Sequence, residues 1–128
     1  VSVDDAIIAA NAAWTVHARP IALAMLAMEA PAALYSALCD NHYGRDDISK
    51  AKTRDYREAK GYIESARFSL HQMLDGIRDN YRCDYVRDYP AECSEAEWDE
   101  IEAFNEELDR GMISVDDFVR MVEVENEV

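Results

Sequence analysis

The stretch PIALAMLAMEAPAALYSALC, Pro20 to Cys39, decides how the chain is read, because twenty residues carry one charge, Glu29. A membrane span needs about 20 predominantly apolar residues, so length admits that reading. The contents argue against it. Glu29 and Pro31 sit together near the middle, where an acid costs about 2.5–3.5 kcal/mol on the insertion scale. Seven of the twenty residues are Ala, which gives little hydrophobic drive, and the flanks hold only Arg19 and Asp40. The stretch therefore reads as soluble-protein core, divided by Glu29 and Pro31 into two short helices. Its first half, IALAMLAM, is apolar all round and must be covered on most sides. The expectation is a packed centre on which the rest of the chain lies.

Before this block, VDDAIIAANAAWTVHAR has Ile7, Ala10, Trp14 and Ala18 at helical spacing. Ser2 with Asp5 forms a capping box. Arg19 precedes Pro20, and the pre-proline position disfavours the α region. The first helix is thus expected to end there, with Pro20 opening a second. Pro31 kinks that helix or restarts it as a third, which runs toward Gly44, a stop signal.

Beyond Gly44 the pattern is the most regular in the chain. Tyr56, Ala59, Ile63, Ala66, Leu70, Met73 and Ile77 alternate steps of three and four, a three-heptad seam. A helix from 47 to 82 would be roughly 50 Å long at 1.5 Å per residue. Its seam packs within its own bundle, or pairs with a second copy as a homodimer through 56–77. Tyr81, Tyr85 and Tyr89 recur every fourth residue and read as a packing stripe. Ser94 with Glu97, and Ser114 with Asp117, are two further capping boxes around Gly111, a left-handed stop. They mark a helical hairpin. Ile113 and Phe118 take hydrophobic-staple positions around the second of these caps.

With 128 residues, four Gly and three Pro, the chain has room for one core and little room for a strand-and-turn architecture. The expected fold is all-α: one domain, residues 1–128, forming a helical bundle of five or six helices. Residues 1–44 supply apolar helices, 45–89 one long central amphipathic helix, and 90–128 an acidic C-terminal hairpin. Cys39, Cys83 and Cys93 form no C-x-x-C pair, and an odd count fits free thiols and a cytoplasmic setting.

The net charge of -14 is unevenly placed. Residues 1–44 hold four acids and one base, 45–87 eight acids and ten bases, and 88–128 fifteen acids and two bases. Almost all the negative charge belongs to the hairpin. There Glu95, Asp99, Glu102, Glu106 and Asp109 step by four and three along one helix face, and Glu97, Glu100 and Glu107 broaden it. Like charges at i, i+4 each cost a few tenths of a kcal/mol, and a solvated face does not need a single sign. Such a face repels nucleic acid and attracts a basic protein surface. The alternatives are that the face serves solubility alone, or that its acids pair internally with the basic residues between Lys50 and Arg67.

Other chemistry lacks its residues. No H-E-x-x-H, E-x-x-H, P-loop or G-x-S-x-G occurs. A calcium loop ending at Asp117 would place Leu108 and Arg110 where oxygen ligands are required. Asp40, His42, Asp46 and Asp47 cluster as loop polarity rather than a metal site. Glu29 reads as a helix-end residue, and His71 with Asp75 as a local hydrogen bond. No enzyme, cofactor or metal is expected. The sequence points to a protein-binding inhibitor or regulator. Its acidic row, Glu95, Asp99, Glu102, Glu106 and Asp109, docks on the basic surface of a nucleic-acid-binding partner by charge mimicry. This is the manner of phage or mobile-element proteins directed against restriction or CRISPR enzymes. The alternative is a structural subunit that assembles through its apolar helices.

Overall fold

A computed structural model describes residues 1–41 and 47–127. Gly44 as a stop signal, and the His42 and Asp46 members of the polar cluster, lie outside them. The described residues form α1 (Val3–Ala27), α2 (Glu29–Asn41), α3 (Asp47–Tyr85), α4 (Glu95–Gly111) and α5 (Val115–Asn126), with no strand among them. The protein is all-α. The expected bundle of five or six packed helices is not what these elements build. They make three bodies: a rod of α1 continued by α2, the long helix α3 antiparallel to it, and the α4–α5 hairpin at one end.

The first correction concerns Pro20. It lies inside α1, which continues to Ala27. Ala6, Ala10, Trp14, Ala18 and Ala22 make one buried face at steps of four, at most 2% exposed. That face runs straight past Pro20, whose side is exposed. Packing at Ala18 and Ala22 holds the helix through a residue that propensity alone would make its end. The break comes instead at Met28. Pro31 has no N–H to offer the Ala27 carbonyl, and the Met28 N–H turns back to the Met25 carbonyl at 3.1 Å. Α single non-helical residue thus separates α1 from α2.

The second correction concerns the apolar block. Of Pro20–Cys39 only Ala22 is buried. The core lies elsewhere, where α1 meets α4, α5 and the C-terminal half of α3. It comprises the α1 face with Leu74, Leu108, Met112, Val115, Phe118 and Val122. Trp14 is completely buried, its ring edge-on to Phe118 with centroids 4.8 Å apart. Asn11 completes the arrangement. Its Oδ1 accepts from Trp14 Nε1 at 3.2 Å and from the Ile113 N–H at 2.9 Å.

Beyond this head the rod and α3 continue as a two-helix arm, marked by the Tyr35–Tyr56 ring contact at 6.3 Å. The seam positions Tyr56, Ala59, Ile63, Ala66 and Leu70 are only half-buried, because α2 covers them from one side and no third helix follows. Met73 is 51% exposed and Leu74 takes its place in the core. A straight helix drifts from a seven-residue repeat by about 20° per heptad, so the buried line passes from Leu70 to Leu74, Ile77 and Tyr81. All three serine caps form. Ser2, Ser94 and Ser114 accept through Oγ from the N–H of Asp5, Glu97 and Asp117 at 3.1–3.2 Å. The last helix is regular to Asn126.

Gly111 is the third correction. No glycine among the described residues has a positive φ, so Gly111 ends α4 without a left-handed turn. The free cysteines are Cys39, Cys83 and Cys93.

Candidate acidic interface on the helical head

The serine cap at Ser94 starts α4 so that Phe104 and Leu108 face the head and the opposite side faces water. Leu108 is fully buried, Phe104 half-buried beneath the Arg87 guanidinium, which sits 4.0 Å from its ring centroid. Asn105 locks the chain entering the hairpin. It accepts from the Arg87 N–H at 2.8 Å and donates to the Arg87 carbonyl at 3.1 Å. Trp98 is 46% exposed and packs against Tyr89, the two rings tilted with centroids 4.1 Å apart.

The five acids picked out by spacing divide into four and one. Glu95, Asp99, Glu102 and Glu106 are exposed, and no ion pair engages them among the described residues. Asp109 is exposed as well but is paired across the head. Arg78 Nη1 donates to it at 2.9 Å, and Arg82 Nε lies 4.0 Å away. Arg78 also donates to the carbonyls of Ile113 at 2.8 Å and Asp109 at 2.8 Å. One guanidinium on α3 thus gathers the C-terminal end of α4 and the turn into α5. It is a charge-assisted, multidentate arrangement that only Arg supplies. The hydrogen bond with Asp79 pushes the Arg82 pKa up, while burial opposes it, so Arg82 is a fixed positive charge.

Internal pairing of acids therefore exists, but its cations are Arg78 and Arg82 rather than the residues from Lys50 to Arg67. A second tie joins α3 to α5. The His71 ring nitrogens lie 3.3 Å from Asp75 and 3.2 Å from Asp116. A third is the Arg19–Glu125 ion pair between α1 and α5. Arg78 and Asn11 were not legible as organisers of the head. Each is one polar residue in an ordinary helical pattern, and their partners lie thirty to a hundred positions away.

What remains on the outer side of α4 is a row of four carboxylates over about 17 Å of helix, from Glu95 to Glu106. Glu97, Glu100 and Glu107 are exposed beside them. The row can meet cations carried by another molecule. No group of three or more His, Cys, Asp or Glu side chains converges in metal-holding geometry among the described residues. No family model, no curated protein and no solved structure matches the chain.

Proposed function

We propose that the protein is a binding module that docks the outer face of α4 on a basic protein surface, one whose ordinary ligand is nucleic acid. The carrying observation is that Glu95, Asp99, Glu102 and Glu106 stand exposed and unpaired on a helix anchored from its other side. The α3 arginines that reach α4, Arg78 and Arg82, are engaged by Asp109 and Asp79. A carboxylate row held on a rigid helix presents charge at fixed intervals, which gives a basic groove both attraction and register. Asp109 supports the row by fixing the end of α4 and does not itself contact the partner.

The test is capture from the native host with the full chain and with an Asp99→Lys, Glu102→Lys, Glu106→Lys variant. Wild-type protein retains a basic partner at low salt, loses it steeply as salt rises, and loses it to added duplex DNA or RNA. The variant captures nothing. Equal retention by the variant, or indifference to nucleic acid, removes the proposal. A structural role in an assembly is the second reading, favoured by the uncovered arm formed by α2 and the N-terminal half of α3.

A further inference from the structure

The arm is incomplete as it stands. Only 6% of the most apolar 18-residue window of the rod is buried. Ala24, Ala27, Ala30, Ala33, Leu34 and Ala37 are exposed. By length and composition alone the rod is apolar enough to cross a membrane, so something other than water suits this face.

Charge at the two ends of the arm indicates what. At its tip, residues 50–60 of α3 carry Lys50, Lys52, Arg54, Arg57 and Lys60 against Asp55 and Glu58. These cations spread over the first four turns of α3, mostly beyond the reach of its dipole. At its root, α5 ends beside Arg19 with Glu123, Glu125 and Glu127 and no base in its last turn. These anions crowd the negative end of their own helix, where they are misplaced. The two clusters have opposite sign. The tip lies where Tyr35 meets Tyr56, and the root lies by Arg19, two residues from His17, which stacks on Tyr81; these levels are about 37 Å apart along α3, so tip and root do not meet within one chain.

We propose that two copies pair arm to arm, antiparallel, about a two-fold axis. The tip of each arm then lies at the root of the other. The exposed α1–α2 face is covered, and Lys50, Lys52 and Arg54 of one copy approach Glu123 and Glu127 of the second, twice by symmetry. The rod and the flank of α3 beside it, each about 10 Å wide and 30 Å long, together present about 600 Å² per copy. The total clears the roughly 1,000 Å² a specific interface requires. This inference uses none of the α4 row, and the two stand or fall separately.

Sedimentation velocity on the full chain at low salt tests it. The expected species has twice the 14.6 kDa chain mass. A Glu123→Lys, Glu127→Lys variant, altered only at exposed or half-exposed α5 positions, folds as wild type by circular dichroism. It dimerises roughly tenfold more weakly. Adding Lys50→Glu and Lys52→Glu to it restores the dimer by reversing both partners. A wild-type monomer throughout the micromolar range overturns the proposal, as does a dimer indifferent to the root reversal. A monomer that instead co-sediments with mixed phosphatidylcholine and phosphatidylglycerol vesicles assigns the face to lipid and equally overturns it.

Discussion

At Gly111 an added Cβ would run into Ile7 Cδ1 and lie 2.9 Å from its Cγ1. Two opposing effects decide what alanine does there. The last residue of α4 would gain up to about 1 kcal/mol of helix propensity. Against that, Ile7 packs on the core between α1 and α4, and displacing two of its carbons is an overpacking change of about 1–3 kcal/mol. The second is larger, so Gly111→Ala is expected to lower stability by about 1 kcal/mol, read as a lower urea midpoint at unchanged slope. In an Ile7→Ala background the obstacle is gone, and the same change becomes neutral or stabilising. A Gly111→Ala protein as stable as wild type would show that α1 and α4 are further apart than described. The sequence marks Gly111 as a helix stop, and it is one. The reason was hidden, since a glycine needed for space and one needed for a left-handed turn look alike in a sequence. The serine caps were legible because donor and acceptor are three residues apart. Arg78 was not, because its acceptors belong to another part of the chain.

The two prolines near the apolar block differ at the scale of the element. Both lack an N–H, yet only Pro31 is preceded by a real break, at Met28. Pro20 projects outward from a helix whose opposite side carries Ala18 and Ala22, each with no exposed surface. Burial of that face holds α1 continuous, and the unmet Val16 carbonyl can turn to solvent. Pro20→Ala is therefore expected to stabilise the protein by about 1–3 kcal/mol, by restoring the missing hydrogen bond and removing the clash in the preceding turn. Thermal unfolding followed at 222 nm would show it, and a lower melting temperature would contradict an unstrained continuous α1. The same physics explains the seam. Its heptad spacing places α3 correctly as one long helix. The face that becomes buried is chosen by the rod and by α5, and with no supercoil to hold the repeat it passes from Leu70 to Leu74.

For the molecule as a whole, hydropathy says which segments lack an affinity for water and not which segments are supplied with cover. Pro20–Cys39 is the most apolar part of the chain, and so it was read as the centre. Among the described residues α2 packs mainly on α3, while the amphipathic hairpin goes to the other end and buries the plainer Ala face of α1 around Trp14. The charge map survives this change of centre, because it depends on position along the chain. Most of the acids belong to α4 and α5, and a cluster of bases to the tip of α3. Stability should be distributed accordingly. Buried side chains sit in the head, and none lies in α2 or between residues 50 and 73 of α3. Local opening is easiest where few apolar contacts must break. Hydrogen exchange of dilute protein should therefore show amides of Glu29–Asn41 and of residues 50–66 exchanging well before those around Trp14, Leu74 and Leu108. Raising the concentration separates two causes of protection. If arms pair, protection rises in α2 and the facing part of α3, while the head, already closed, is unchanged. Uniform protection along α3 in dilute solution would mean that the arm is held by the chain alone, and that its apolar face needs no second copy.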